Sequence, residues 1–216
     1  MSEKLVVIGT GGLGREAMYL ITKINKETSI YNILGFIDGD DTKIGTMVDG
    51  FQVLGTDEWL LQCNEEMNVV VAIGSGRTRR LVYEKIITNK KLKFPSIIAS
   101  NTVLPMTVSF GQGCIVLPLC VFSPNIAVGE FSVINPACTI AHDVIIEEFI
   151  TLSPGVNIAG NVHIKGYTSI GVGACVIQGI SIGHNTIIGA GAAVVRDIPD
   201  DCTAVGVPAK PIKFSS

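Results

Sequence analysis

Three absences narrow this chain of 216 residues before any motif is read. No run of Lys or Arg extends beyond a pair and the formal net charge is −3, which argues against nonspecific binding to nucleic acid. No stretch resembles a secretory signal or an apolar span of about eighteen residues, so no membrane span is expected and the cytoplasm is the expected compartment. No CxxC pair occurs among the six cysteines, which are read as reduced packing residues rather than as bridges or metal ligands. Apolar residues, at 47%, are plentiful enough for one large core or two modest ones.

What is present is a register of six. Leu104, Phe110, Val116, Phe122, Val128, Ile134, Ile140, Ile146, Leu152, Ile158, Ile164, Ile170, Val176, Ile182, Ile188 and Val194 stand six apart without interruption. At this composition the run arises by chance about six times in a million for a fixed phase, before about a sixfold allowance for choice of phase. A period of six fits neither helix nor simple strand; it is the mark of a parallel β-helix of hexapeptide repeats, three to a triangular coil. The residue two before each rung is small or β-branched, as a narrow prism requires, and Cys114, Cys120 and Cys138 occupy that inward slot. Gly111, Gly129, Gly171, Gly183 and Gly189 follow rung residues, where a corner is expected to need a conformation that a Cβ disfavours. The run predicts about five coils.

The first hundred residues read differently. The apolar run Leu5–Ile8 leads into Gly9-Thr10-Gly11-Gly12-Leu13-Gly14 and a helix from Arg15 to about Ile24. Strands are expected at Ile33–Ile37, Val69–Ile73 and Phe94–Ile98, and helices at Thr56–Cys63 and Thr78–Thr88. This alternation gives a small parallel sheet, with the join near Ser100–Leu104. The glycine spacing matches G-x-G-x-x-G, and Asp38 lies 24 residues beyond Gly14, where a ribose-binding acid stands in dinucleotide folds. About 100 residues cannot hold both halves of such a fold, so recognition of a nucleotide-activated ligand is favoured over NAD binding or a purely structural turn.

All three histidines fall in the repeats. His142 is followed by Asp143, a pairing suited to proton transfer, although an exposed polar corner residue is the alternative. His142, His163 and His184 are spaced by 21, one coil plus three residues, which places the first two on one face, the third on another, and makes convergence on zinc within one chain unexpected.

Taken in order, Gly9–Gly14, Gly35-Phe36-Ile37-Asp38, Ala72-Ile73-Gly74, the hexapeptide run, Ile140-Ala141-His142-Asp143 and Gly206-Val207-Pro208-Ala209-Lys210 resemble the bacterial hexapeptide-repeat sugar acetyltransferases. That family includes sialic acid O-acetyltransferases and N-acetyltransferases of UDP-linked 4-amino sugars. The resemblance implies a Rossmann-like α/β domain over residues 1–100 that holds the acceptor. It implies that a left-handed parallel β-helix with a C-terminal tail follows over 101–216 and binds acetyl-CoA. It further implies a homotrimer with active sites between subunits, His142 as general base, and Asp143 as the acid that raises its basicity.

Positions matching the family's acceptor contacts are Gly11, Gly12, Leu13, Asp38, Gly39 and Gly74. Leu13 replaces a frequent His, and Gly39 replaces a second acid, with Asp40 one residue further on. Ser75-Gly76, followed by Arg77, replaces an Asn pair. Donor contacts match Thr151, Val172 and Ala190, with Thr151 standing where many relatives have His, and the Gly160 amide is expected to face the oxyanion. Asn135 has two readings: an acceptor-positioning residue near His142, or a stacked asparagine that satisfies the coil.

The expected reaction is direct, metal-free transfer from acetyl-CoA to the amino group of a nucleotide-linked sugar, for surface glycan or polysaccharide synthesis. O-acetylation of a sialic acid and a non-catalytic trimeric ligand-binding scaffold are the alternatives. Cys138 is not expected to act as a nucleophile, because its register puts it inside the prism.

Overall fold

A computed structural model describes residues 2–214, and the chain divides into two compact units, one ending at Ile97 and the other beginning at Ile98. In the first, β1 (Glu3–Ile8) runs into α1 (Gly12–Thr28) and back into β2 (Tyr31–Ile37). Then come β3 (Met47–Val48), β4 (Phe51–Gly55), α2 (Asp57–Leu61), β5 (Met67–Val71), α3 (Gly76–Ile86) and β6 (Leu92–Lys93). The sheet order is β3-β4-β2-β1-β5-β6, parallel except for the β3–β4 hairpin. Helix α1 buries Gly14, Ala17, Met18, Leu20 and Ile21, a stripe at helical spacing. Asn25 then brackets Tyr31, donating to its carbonyl at 2.7 Å and accepting from its N–H at 2.8 Å, which fixes the turn into β2.

The β3–β4 hairpin was not expected from the apolar pattern. Its signal is the dipeptide Asp49-Gly50, whose φ values of 48° and 86° suit a tight hairpin turn. Of the strand expected at Phe94–Ile98 only Ile97–Ile98 forms, after Pro95, which offers no N–H to a ladder, and the last strand of the first sheet comes earlier, at Leu92–Lys93.

The second unit is a parallel β-helix. Through the repeats each strand pairs with the one eighteen residues on, as in Val121↔Thr139, Ile145↔His163 and Val133↔Thr151, and the tail strand Lys210–Phe214 adds antiparallel to Cys202–Val205. The strands fall into three sheets, the faces of a prism. Only the last turn is shorter: Ile182 meets Ile198 and Ile187 meets Thr203, an offset of sixteen. Rungs from Val116 to Val194 are buried, but Leu104 is 40% exposed and Phe110 only half-buried. These two stand in the first turn, where no earlier coil covers them. The inner slot has its own rule. Cys114, Cys120, Cys138, Ser132 and Thr168 each donate to the carbonyl fifteen residues on, at 2.6 to 3.3 Å, so a small donor there is both fitted and satisfied.

The corners follow a second sixfold register. Every sixth residue from Gly113 to Gly191 has positive φ, and nine of these fourteen are not glycine. The five glycines after rung residues are therefore not needed for left-handed backbone. A Cβ on Gly111, Gly129, Gly171 or Gly183 would stand 2.3 to 2.5 Å from backbone of the next coil, and one on Gly189 would stand 2.7 Å from the Val205 side chain. Close approach between coils, not conformation, is what these positions require.

Candidate active site

Three strand ends meet in the first unit. Gly9 N–H donates to Ile37 O at 2.8 Å and Ala72 N–H to Ile8 O at 2.9 Å, so the loops after β1, β2 and β5 emerge side by side. Gly11, Gly12, Leu13, Asp38, Gly39 and Gly74 all lie on these loops or on the first turn of α1. This carboxyl edge, where the order reverses around β1, is where open α/β sheets place ligands.

The glycines there have separate reasons. A Cβ on Gly14 would stand 1.8 Å from Gly9 O, so Gly14 is required by helix–strand packing. One on Gly11, Gly12, Gly39 or Gly74 would meet nothing within 4 Å. The backbone is thus open to approach, and α1 begins without a side-chain cap on its N–H groups.

Asp38 is drawn inward. Its carboxylate accepts from the Thr10 N–H at 3.0 Å, from the Thr10 hydroxyl, from Lys43 Nζ at 3.1 Å and from the Asp40 N–H at 3.1 Å. Burial pushes the carboxyl up, but these bonds outweigh it and hold it below the usual carboxylate range. Asp40 is occupied locally, accepting from the Thr42 N–H and hydroxyl at 3.1 and 2.6 Å.

Sequence reasoning missed Lys43, which also donates to the Thr10 hydroxyl at 3.1 Å, and Arg79, which is fully buried and donates to the carbonyls of Ile73 and Gly74. Arg79 shapes the loop that carries Gly74. Ser75 caps α3 by accepting from the Thr78 N–H at 3.3 Å, so this departure from the family pattern has a local structural role.

In the coil, His142 and Asp143 stand at the corner between the strands Thr139–Ile140 and Ile145–Ile146. His142 Nδ1 and Asp143 Oδ2 are 2.8 Å apart, and both side chains are about half exposed. An ionised carboxylate only accepts, so Nδ1 carries the proton and Nε2 is left as the lone-pair nitrogen. The His142 bond first, and then one from Asn125, holds the Asp143 carboxyl below its ordinary range.

Gly160, one coil on, lies against the ring: a Cβ there would stand 2.6 Å from His142 Cε1 and 2.7 Å from Nε2. Among the described residues the Gly160 N–H donates to no protein acceptor. The same corner position is proline at 118, 124, 136 and 154, so it makes no ladder bond.

Val172 and Ala190 stack at a different corner, after the strands Ser169–Ile170 and Ile187–Ile188, and Thr151 lies on that face. Asn135 stands at this second corner line, not beside His142. Its side-chain amide donates to Leu152 O at 2.7 Å, the carbonyl that its own N–H reaches at 3.0 Å, which is the geometry of a stacked coil asparagine.

The other histidines need one correction. The strands His163–Ile164 and Ser181–Ile182 pair, so His163 shares its face with the strand that leads to His184, while His142 stands at the corner before that face. His163 Nε2 lies 2.7 Å from Glu147 Oε1, and His184 packs edge-on to Tyr167. Among the described residues no cluster of three His, Cys, Asp or Glu side chains could hold a metal. Cys138 is fully buried, and both neighbouring Cys120 and burial push its thiol up, away from the thiolate a nucleophile needs.

A family model described as the PglD N-terminal domain matches residues 4–86. The acetyltransferase domain of PglB from Neisseria gonorrhoeae FA1090, solved with acetyl coenzyme A, is 32% identical over 98% of this chain and 100% of that one, with a TM-score of 0.88. PerB from Caulobacter crescentus, solved with CoA and GDP-perosamine, is 30% identical over 97% of each chain, with a TM-score of 0.88. WeeI from Acinetobacter baumannii AYE is 29% identical over 98% of this chain and 100% of that one, with a TM-score of 0.87. No curated protein gives a significant match. The chain belongs to the hexapeptide-repeat sugar acetyltransferases, acetyl-CoA-dependent enzymes built as a Rossmann-like unit followed by a left-handed parallel β-helix.

Proposed function

We propose that this enzyme transfers the acetyl group of acetyl-CoA to the amino group of a nucleotide-linked amino sugar, with His142 as general base, in the synthesis of a surface polysaccharide. The observation that carries the reading is the His142–Asp143 pair, which leaves Nε2 as the lone-pair nitrogen of a ring lying against Gly160. The relative solved with CoA and GDP-perosamine is named a perosamine N-acetyltransferase, and forms of it with one histidine replaced by Asn or Ala have been solved with the same ligands. Both facts support nitrogen as the acceptor atom and a histidine in the reaction.

In the step itself the sugar nitrogen attacks the thioester carbon and the new C–N bond forms. The nitrogen's proton passes to His142 Nε2, Asp143 stabilises the imidazolium, and the Gly160 N–H donates to the oxyanion. The C–S bond then breaks, and the CoA thiolate leaves and takes up the proton from the His142 imidazolium, which restores the base.

The sugar nucleotide is assigned to the carboxyl edge of the first unit, through Gly11, Gly12, Leu13, Asp38, Gly39 and Gly74. Thr151, Val172 and Ala190 are assigned to acetyl-CoA. Thr151 lies on a different face, and Val172 and Ala190 at a different corner line, from the corner of His142 and Gly160, so a homotrimer with the donor lying between neighbouring coils unites the two sets. Six free cysteines and the use of acetyl-CoA support a cytoplasmic enzyme; among the described residues no helix is long and apolar enough to cross a membrane.

The test is thiol release from acetyl-CoA against UDP-, GDP- and TDP-linked 4-amino sugars and free and CMP-linked sialic acids. Turnover with a 4-amino sugar, lost by at least about a hundredfold in His142→Ala with donor affinity retained, is the expected result. Turnover with sialic acids alone replaces nitrogen by oxygen as the acceptor, and parent turnover in His142→Ala removes the base.

A further inference from the structure

One coil before Asp143, at the same corner, stands Asn125. Their φ values are 62° and 58°, so both occupy the left-handed bend that recurs down this edge of the prism. The Asn125 N–H donates to Thr107 Oγ1 at 3.0 Å, which ties its backbone to the coil start, and its side-chain amide donates to Asp143 Oδ1 at 3.3 Å. Asp143 Oδ2 in turn accepts from His142 Nδ1. Each carboxylate oxygen therefore has one donor, in the order Thr107, Asn125, Asp143, His142. Beside this chain of bonds runs an open groove of about 350 Å3, lined by residues that include Thr107, Ser109, Asn125, Ala127, Asp143 and Ile145.

We propose that Asn125 is a positioning residue for the His142–Asp143 pair: by holding Oδ1 it keeps Oδ2 on Nδ1 and so keeps Nε2 aimed at the acceptor. The proposal rests on the reading of His142 as the base. A half-exposed carboxylate bound only through the ring is free to turn about both of its side-chain torsions toward water. A second donor on the other oxygen defines the carboxylate plane.

The donor's chemistry matters as well as its place. Asn tolerates the left-handed bend, and its NH2 must face the carboxylate because a carbonyl oxygen there would be repelled. A Lys would neutralise Asp143 and weaken its pull on the imidazole; a neutral amide leaves the charge in place. Among the described residues the groups that lower the Asp143 carboxyl are His142, by hydrogen bond and charge, and this amide, against a smaller upward push from burial.

Two substitutions separate positioning from corner conformation. Asn125→Gly and Asn125→Asp both accept positive φ and both remove the donor, while Asp also sets a negative charge against Oδ1. Asn125→Gly is expected to lower kcat about three- to tenfold, with both KM values and the melting temperature near those of the parent. Asn125→Asp is expected to lose more and to move the acid limb of the kcat/KM profile to higher pH, since an added anion favours the imidazolium. Parent kcat and an unmoved profile in both variants, or a change confined to KM, would overturn the proposal. His142→Ala measured alongside keeps the two readings apart. Parent turnover there removes the base itself, whereas loss there beside unaltered Asn125 variants removes only Asn125.

Discussion

Phe131, Phe149 and Tyr167 stand at one corner line of the coil, and Asn125, Asp143 and Asn161 at another. The backbone is the same in both, with φ between 52° and 62° and one residue per coil. In the first column the rings stack at 5.3 and 5.6 Å, nearly parallel, and Phe131 and Phe149 are buried. In the second, Asp143 faces solvent and is tied to Asn125 and His142. A left-handed bend disfavours a bulky residue by roughly 1–2 kcal/mol, which the aromatic column must offset by burial and stacking, whereas Asn and Asp adopt it more readily. The repeat fixes where a side chain leaves the prism; its chemistry decides whether that corner becomes core or site.

If that division holds, the largest effect comes from Phe149→Ala. Removing the middle ring should cost about 3–5 kcal/mol and lower the melting temperature by about 10 °C, with kcat per folded molecule unchanged. Calorimetry beside active-site titration checks it, and a fall in kcat without a fall in stability would erase the distinction between the columns. Gly160→Ala is the reciprocal change. Its Cβ would meet the His142 ring rather than backbone, so the ring swings aside and the coil stays intact. The expected loss in kcat is about tenfold to a hundredfold, with melting close to the parent's. An early-melting variant that turns over normally would show that Gly160 serves the fold alone.

The coil was legible because neighbours in it are a matter of counting. The sixfold rungs mark the inward side chains, and an offset of eighteen sets the outward ones against each other, Gly160 against His142 and Asn125 over Asp143. Corner glycines are ambiguous in sequence because the same residue type answers two needs, positive φ and close approach, and the register does not tell which. Leu104 belonged to the pattern but not to the core, since a periodic sequence does not show where the stack ends.

The α/β unit has no such offset. Glycine spacing revealed the first loop and the strand–helix order, but the tie of Lys43 to Asp38 and Thr10 joins two loops through tertiary placement alone. Arg79 was hidden for a related reason: a charged residue on a helix reads as solvent-facing, and only the fold shows its guanidinium turned onto the carbonyls of Ile73 and Gly74. Departures from the family pattern in this unit became intelligible only where a local bond was visible, as in the cap made by Ser75.

The smallest effect separates the columns by pH. Asp143 has its carboxyl held below the ordinary range, first by His142 and then by Asn125. A depressed folded pKa contributes stability that is complete above the unfolded value, about 3.9, and is lost as pH falls through the folded one. The melting difference between the parent and Asp143→Asn should therefore be steady from about pH 5 to 6, shrink below about pH 4 and close at lower pH. The Phe149→Ala deficit involves no titrating partner and should not follow that curve. A difference for Asp143→Asn that stays flat through the same acid range would mean that the carboxylate's bonds contribute nothing to the folded state, leaving its alignment of His142 as its only role.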